Sequence, residues 1–290
     1  MNTFDPRLTP ARSDLAAKHL EGQVTAARFV EGVVQEIIDA QAPLRKFPSH
    51  EAPLDTEALM GEHVTVYEMT EEGWAWGQLD ADGYVGWLPA NALLAPGAKP
   101  THKVVALRTF IFPGPSIKIP PMAAPSLGSR LTIVREDDRF AVTARGGYVP
   151  KQHLATINEV VSDPVAVAEG FVGVPYLWGG KTSLGLDCSG LVQLAFTACG
   201  IKAPRDTDMQ EKAIGQAINH SNDLARLQRG DLIFWKGHVA MVRNQNTLIH
   251  ANAFHMAVAI EPIATTIARI QASDGSVTSV RRVNIPSGGR

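Results

Sequence analysis

The sequence predicts an α+β fold, and two observations favour that class. In the first half, short β-branched and aromatic runs are separated by turn clusters such as Asp80-Ala81-Asp82-Gly83, which is typical of small barrels of short strands. In the second half, helical patterns come first and strand-like runs follow. That order is typical of helices packed on an antiparallel sheet.

Composition restricts the class of protein and the class of partner. The chain has 290 residues, of which 45% are hydrophobic and 19% are charged, as in soluble globular proteins of more than one domain. A net charge of −2 without a long basic run disfavours nucleic acid and membranes as partners. We expect a cytoplasmic protein, because no run reaches about 18 apolar residues and the first residues do not resemble a signal peptide. No group of residues has metal-ligand spacing, so no cofactor is expected. The oligomeric state stays open.

Four parts are predicted along the chain: an N-terminal segment (1–42), two barrels (43–97 and 98–157) and a C-terminal domain (158–290). From Thr9 to about Gly22 the pattern predicts a short amphipathic helix. The remainder of the N-terminal segment fits a helix face as well as a strand that enters a barrel.

An internal repeat is the reason for predicting two barrels. Residues 59–66 resemble residues 127–134, and Gly83-Tyr84-Val85 recurs 64 residues later as Gly147-Tyr148-Val149. The first copy resembles the bacterial SH3-like barrels found beside cell-wall hydrolases, and the second is a more diverged copy. We interpret the tryptophans of the first copy as core and rim residues of its barrel.

The C-terminal domain is organised around a helix that is predicted to begin at Cys188. Asp187 is a suitable N-cap, and Gly200 is suited to the position just beyond the helix end. The N–H groups at a helix start favour a thiolate, so we expect a lowered pKa for the Cys188 thiol. A buried core cysteine is the alternative interpretation, and it is the one we prefer for Cys199.

A nucleophilic thiol needs a base, and the base needs an orienting group. His238 opens one predicted strand, and His250 ends the next strand. In an antiparallel pair such residues can be cross-strand neighbours, so we expect the two imidazoles to touch. A cysteine at a helix start, packed against a sheet that carries histidine, is the papain-like arrangement.

Three segments, residues 187–192, 230–242 and 248–251, resemble the signature blocks of the NlpC family of papain-like cell-wall cysteine peptidases. The resemblance implies that Cys188 is the nucleophile, that His238 is the general base and that His250 fixes the tautomer of His238. It also implies that Tyr176 helps to form the oxyanion site.

The order of the predicted domains is similar to that of the YkfC-type dipeptidyl-peptidases. This similarity implies cleavage of the γ-D-glutamyl-diamino acid bond in murein peptides that carry a free N-terminal L-alanine, as part of cell-wall peptide recycling. Whether the diamino acid is lysine or diaminopimelate stays open. An enzyme that releases a dipeptide needs a wall that closes its cleft and a partner for the substrate ammonium, whose unpaired burial costs several kcal/mol. The candidate substrate-binding residues are Asp187, Ser189, Trp178, Asp206, Thr207, Tyr84, Glu57 and Glu62.

Each candidate has a structural alternative. Tyr84 also fits as a packing residue of the first barrel, and Glu57 and Glu62 also fit as solvated surface charges. Two other functions stay open: an amidase of the N-acetylmuramoyl-L-alanine type or an endopeptidase on intact peptidoglycan, and a non-catalytic scaffold that binds wall peptides.

Overall fold

The computed structural model describes residues 4–218 and 226–284. The chain divides into two compact units, Met1–Ile157 and Asn158–Arg290. None of the helices in the described ranges is long and apolar enough to cross a membrane.

Within residues 4–157, the first unit consists of short strands and three 3₁₀ turns. The strands are β1 (Ala16–Ala17), β2 (Phe29–Val30), β3 (Val33–Ile37), β4 (Gln41–Arg45), β5 (Leu54–Leu59), β6 (His63–Met69), β7 (Trp74–Leu79), β8 (Val85–Pro89), β9 (Leu93–Leu94), β10 (His102–Val104), β11 (Arg130–Leu131), β12 (Ile133–Glu136), β13 (Phe140–Thr143), β14 (Tyr148–Pro150) and β15 (Leu154–Thr156). The 3₁₀ turns are Lys18–Leu20, Ala90–Ala92 and Lys151–His153.

Seven strands form one sheet in the order β5-β4-β8-β7-β6-β3-β9. Its core contains Ile37, Leu44, Val64 and Leu88. The first three alternate with more exposed neighbours along their strands, whereas residues 85–88 of β8 are all buried. Strand β3 lies inside the predicted N-terminal segment of residues 1–42, so this part of the segment is a strand of the barrel sheet. The predicted domain boundaries stay predictions.

The helix predicted between Thr9 and Gly22 is wrong. Ala16 and Ala17 are extended and pair with β2, and only Lys18–Leu20 form a 3₁₀ turn. The apolar residues that suggested a helix face are instead buried by the barrel, where Leu15 joins a cluster with Trp74, Trp76 and Trp87. Tertiary burial therefore overrides the local helical pattern.

Arg12 also fastens the N-terminal segment to the barrel. Its guanidinium carbon lies 4.3 Å from the Trp76 ring centre and 4.9 Å from that of Trp87. The same side chain pairs with Asp14 and Glu68. The tryptophans of the first barrel are thus covered by the chain itself, in agreement with their interpretation as core and rim residues.

The region of the second predicted barrel has two three-stranded sheets, β11-β10-β15 and β12-β13-β14. Val104, Ile111, Leu131 and Val149 form its buried cluster. The glycines of the repeated Gly-Tyr-Val segments, Gly83 and Gly147, both have positive φ, of 80° and 98°, which an L side chain rarely adopts. In both copies this glycine turns the chain into the strand that follows.

The second unit places helices on an antiparallel sheet. Its elements are α1 (Pro164–Glu169), β16 (Lys181–Thr182), β17 (Gly185–Leu186), α2 (Cys188–Ala198), α3 (Thr207–Ala213), β18 (Gln216–Ala217), β19 (Leu232–Trp235), β20 (His238–Val242), β21 (Thr247–Asn252), β22 (Ala257–Pro262), α4 (Ile263–Ser273) and β23 (Ser279–Arg282).

The main sheet of this unit has the order β18-β23-β19-β20-β21-β22. Helix α2 packs against β20 and β21, and α4 packs against β22. Ile263 and Ile270 of α4 share a buried cluster with Ala240, Val242 and Leu248 of the sheet. Helices followed by antiparallel strands confirm the predicted α+β class.

Candidate active site

Cys188 is the first residue of α2 and is 5% exposed. The Asp187 side chain accepts a hydrogen bond of 2.7 Å from the Gly190 N–H, so the predicted N-cap is confirmed. At the other end Gly200 has a φ of 75°, as expected just beyond a helix C-terminus. Cys199, the C-terminal cap residue, is buried as predicted.

Arg205 holds Asp187 in place. Its two terminal nitrogens donate to the two carboxylate oxygens of Asp187 at 2.9 and 2.7 Å, and the guanidinium is 1% exposed. Asp187 also accepts from the Gly179 N–H at 2.8 Å and from the Ser189 hydroxyl at 3.2 Å. The carboxylate is therefore charge-balanced and bonded on both oxygens.

Close backbone approach accounts for the glycines of this segment. A Cβ at Gly190 would overlap the Gly180 carbonyl oxygen, and a Cβ at Gly180 would lie 2.5 Å from the Gly185 carbonyl oxygen. Arg205 also donates to the Gly180 carbonyl at 3.3 Å. The loop before β16 and the start of α2 are thus locked together around the Asp187 carboxylate.

The imidazoles of His238 and His250 are in contact, as predicted. Nε2 of His238 lies 2.8 Å from Nδ1 of His250. Met241 pairs with Ile249, so the residue opposite His250 is Ala240, and His238 lies two residues further along the same face of β20. The contact is a diagonal across two strands.

Glu261 contacts the other side of the His250 ring, from the neighbouring strand β22. The sequence did not indicate this residue. Its Oε2 lies 2.7 Å from Nε2 of His250 and accepts from Arg269 at 2.7 Å. His250 pairs with Ala259, and Glu261 lies two residues beyond on β22. No sequence signal sets the register of β22, so only the folded sheet identifies Glu261 as a partner of His250.

The nucleophile and the base are both neutral at rest. Burial, reinforced by Asp187, raises the pKa of the Cys188 thiol to about 12. The N–H groups of Val239 and Ser189 act in the opposite direction, but more weakly. Burial, together with His250 and Arg269, lowers the pKa of His238 to about 3. The expected net lowering of the thiol pKa is therefore wrong: the helix start does act in that direction, but desolvation outweighs it.

Tyr176 lies near the thiol. Its N–H donates to the carbonyl of Met256 at 2.9 Å, which holds it beside the start of β22. Burial raises the pKa of the half-buried phenol, and the charges of Cys188 and Asp187 add to that effect. Tyr176 therefore keeps its proton at neutral pH and can donate a hydrogen bond.

The other candidates of this unit differ in exposure. Ser189 is buried, and its hydroxyl accepts from Arg205 at 2.9 Å. Asp206 and Thr207 are half-buried at the start of α3. Trp178 is 69% exposed on the loop between Tyr176 and Gly180. Arg205, the partner of Asp187 and Ser189, was not singled out from the sequence.

The remaining candidates belong to the first unit. Tyr84 is 5% exposed and joins the core cluster of the barrel. Glu57 and Glu62 are 4% and 6% exposed, so their alternative interpretation as solvated surface charges is wrong. Gln41 donates to Glu57 at 3.1 Å, and Glu62 accepts from the Leu59 N–H at 2.8 Å.

No cluster of three or more His, Cys, Asp or Glu side chains is arranged to hold a metal ion within residues 4–218 and 226–284. The chemistry that the described residues support is nucleophilic: a thiol at a helix start, a histidine base and a polar partner for the base.

Comparison with known proteins gives two family matches. Residues 44–93 match the bacterial dipeptidyl-peptidase SH3 domain, and residues 173–272 match the NlpC/P60 family. The chain is 30% identical over 248 residues to the gamma-D-glutamyl-L-lysine dipeptidyl-peptidase of Bacillus cereus, a match that covers 73% of this chain and 71% of that protein. It is 28% identical over 239 residues to dipeptidyl-peptidase 6 of Lysinibacillus sphaericus, covering 74% of this chain and 86% of that protein.

A solved structure shows the same fold. The crystal structure of an NlpC/P60 family protein from Bacillus cereus superposes with a TM-score of 0.73 at 24% identity, covering 87% of this chain and 100% of the other. Taken with the thiol and the two histidines, these matches show that the chain is a cysteine peptidase and belongs to the NlpC/P60 family.

Proposed function

We propose that this peptidase hydrolyses murein peptides with a free N-terminal L-alanine at the bond between γ-D-glutamate and the diamino acid. One observation carries the proposal: the NlpC/P60 match and the dipeptidyl-peptidase SH3 match lie on the same chain. The gamma-D-glutamyl-L-lysine specificity in the name of the Bacillus cereus relative supports the same substrate class.

In the proposed mechanism, the sulfur of Cys188 attacks the γ-carbonyl carbon while the thiol proton passes to His238. Because both groups are neutral at rest, this proton transfer accompanies the attack. The oxyanion is stabilised by the Tyr176 hydroxyl and the Cys188 N–H, one of the helix's first amides, which have no intrahelical partner. His238 then gives its proton to the leaving amine of the diamino acid, and water hydrolyses the thioester.

The substrate ammonium is the feature that distinguishes a dipeptidyl-peptidase from an endopeptidase. We propose that a carboxylate pairs with it, and the candidates are Asp187, Glu57 and Glu62. Tyr84 is a further candidate for a contact at this end of the substrate. Asp187 already neutralises Arg205 and accepts hydrogen bonds on both oxygens. We therefore assign Asp187 to holding the start of α2, and Asp187, Glu57 and Glu62 all stay candidates for the counter-charge. Ser189, Asp206, Thr207 and Trp178 remain our candidates for contacts with the rest of the substrate.

The decisive experiment compares L-Ala-γ-D-Glu-diaminopimelate, its lysine analogue and their N-acetylated forms, with products identified by mass spectrometry. We expect release of L-Ala-γ-D-Glu from the free peptides and a loss of at least tenfold in kcat/KM on acetylation. Neutralising the carboxylate that pairs with the ammonium should reproduce that loss, which Asp187→Asn, Glu57→Gln and Glu62→Gln test one at a time. Cys188→Ala is the inactive control. Equal cleavage of free and acetylated peptides would contradict the proposal.

Two alternatives have their own outcomes in the same assay. Cleavage of intact peptidoglycan or of the lactyl-L-alanine bond, without cleavage of the tripeptide, would indicate an endopeptidase or an amidase. Absence of turnover on every substrate, with no alkylation of Cys188 by iodoacetamide, would indicate a binding scaffold.

A cytoplasmic location and a role in peptide recycling complete the proposal. Peptide fragments with a free L-alanine are small, soluble molecules. This fits an enzyme that cleaves peptides already detached from the cell wall. Fractionation of cells, followed by immunodetection of the protein, tests the location. Recovery outside the cytoplasm would contradict it.

A further inference from the structure

Four side chains form a continuous polar chain that leads away from the base. Nε2 of His238 meets Nδ1 of His250 at 2.8 Å, and Nε2 of His250 meets Glu261 Oε2 at 2.7 Å. Arg269 donates to the same carboxylate oxygen at 2.7 Å. We propose that Glu261, held by Arg269, is a positioning residue that sets the tautomers of both histidines and leaves Nδ1 of His238 as the basic nitrogen.

Glu261 has the least ambiguous role as a donor or acceptor in this chain of hydrogen bonds. Burial acts to raise the pKa of Glu261, but the hydrogen bond from His250 and the charge of Arg269 lower it overall. An ionised carboxylate has no proton and can only accept. The hydrogen bond at 2.7 Å therefore requires a proton on Nε2 of His250.

The tautomer of His250 in turn determines the tautomer of His238. Burial lowers the pKa of His250, so the ring is neutral and carries a single N–H. With that proton on Nε2, Nδ1 of His250 can only accept, and Nε2 of His238 must donate to it. His238 is also neutral, so its own Nδ1 carries a lone pair. That lone pair is the one available to take the proton of the Cys188 thiol.

The alternative tautomer of His250, with its proton on Nδ1, is disfavoured by electrostatics. It would turn a nitrogen lone pair of the buried His250 ring toward the Glu261 carboxylate, and repulsion is screened less at a buried group than in water. The arrangement also helps the reaction, because the imidazolium formed at His238 is stabilised through His250 by a fixed negative charge. This inference rests on the proposed roles of Cys188 and His238, and it adds the origin of their orientation.

Arg269 makes the carboxylate a rigid anchor. Its guanidinium carbon lies 4.2 Å from the ring centre of Phe254, so the side chain is held from a second direction. His255 is a weaker neighbour: its Nδ1 is 3.7 Å from Glu261 but 3.1 Å from the Asn252 side-chain oxygen. The charged partner of Glu261 is therefore Arg269, which comes from α4.

The test replaces Glu261 by Gln and uses Glu169→Gln as a matched control. Glu169 also pairs with arginines, Arg229 and Arg243, but it lies on α1. We expect Glu261→Gln to lower kcat by roughly 10- to 100-fold with KM nearly unchanged, as for other residues that orient a catalytic ring. Glu169→Gln should stay within about twofold of the parent, the range expected for a residue outside the site.

A spectroscopic measurement distinguishes a change in the histidine tautomers from a general loss of structure. Histidine side-chain ¹⁵N spectra of the resting wild-type protein should show the Nε2–H tautomer for His238 and His250. In Glu261→Gln the His250 signals should move toward a tautomer mixture, and in Glu169→Gln they should not. A wild-type His250 protonated at Nδ1 would overturn the inference even if the variant failed to fold. A folded Glu261→Gln protein with parental kcat would also overturn it.

The spectra keep this inference distinguishable from the proposed function. They need no substrate, so a wild-type protein that cleaves none of the γ-D-glutamyl peptides would end the substrate proposal alone. The tautomers in that resting protein would still decide whether Glu261 acts as we propose.

Discussion

Cys188 and Cys199 form a matched pair for testing the nucleophile, because both thiols are buried and they lie near opposite ends of α2. We expect Cys188→Ala and Cys188→Ser to lower kcat/KM by more than about 100-fold, since loss of a nucleophile removes the covalent pathway. Cys199→Ala should stay within about twofold, as expected for a residue outside the catalytic unit. An essential Cys199 would refute the assignment based on the helix start.

The two histidines should differ in how well a neutral substitute replaces them. His238 has to accept and return a proton, whereas His250 has to hold a hydrogen bond between His238 and Glu261. Asn can keep part of a hydrogen bond but cannot act as a base. We therefore expect His250→Asn to retain a higher kcat than His238→Asn. The reverse order would mean that the two roles are exchanged.

The protonation state of Cys188 can be read from its alkylation rate. Because burial raises the thiol pKa to about 12, the thiolate fraction should rise with pH throughout the neutral range. In the Cys199→Ala background, we expect the iodoacetamide rate to increase about tenfold per pH unit between pH 6 and 9, in proportion to the thiolate. A rate that is constant across this range would instead indicate a resting thiolate-imidazolium pair.

At the scale of elements, the buried pair of Arg205 and Asp187 joins the start of α2 to the loop before β16. Removing one partner of a buried pair leaves an uncompensated charge and costs about 3–5 kcal/mol. We expect that loss in the free energy of unfolding for Arg205→Met. Arg229→Met is the control, because its pair with Asp163 is 41% exposed on each side and should cost about 1 kcal/mol or less. Equal losses in urea titrations of the two variants would contradict the structural role of Arg205.

The end of helix α3 is set by packing and not by the local sequence pattern. The local sequence pattern predicts a helix from about Met209 to Ala217, but α3 ends at Ala213 and Gln216–Ala217 pair with β23 instead. Gly215, with a φ of 61°, stands where the helix gives way to the strand. A strand more than sixty residues away in sequence thus determines where this helix ends, and no short-range pattern contains that information.

At the scale of the whole molecule, the buried histidines should make stability sensitive to acid. Their pKa values in the folded protein lie below the ordinary value, so the unfolded chain binds protons first as the pH falls below about 6.5. Stability is therefore fully present above that pH and is lost toward the folded pKa, which is about 3 for His238. His238 should contribute about 1.4 kcal/mol per pH unit in this range, and His250 acts in the same direction.

Urea unfolding of the full chain at pH 7, 6 and 5 measures this dependence. We expect His238→Asn to show a smaller loss of unfolding free energy between pH 6 and 5 than the wild type, by about 1.4 kcal/mol. Identical slopes for the two proteins would mean that His238 is protonated alike in the folded and unfolded states.

By itself, the sequence determined the features that depend on neighbours along the chain. The N-cap Asp187, the helix that begins at Cys188 and ends before Gly200, and the strands that carry His238 and His250 follow from local signals. These signals are caps, periodicity and turn residues, which act over a few positions. The motif blocks around these residues also sufficed to identify the nucleophile, the base and its polar partner as candidates.

Only the tertiary structure decided the features that depend on register and burial. The register of β22 makes Glu261 a partner of His250, and the packing around α2 buries Arg205 against Asp187. Burial also reverses the expected shift of the thiol pKa. Strand register and desolvation are set by residues far apart in sequence, so their effects appear only when the chain has folded.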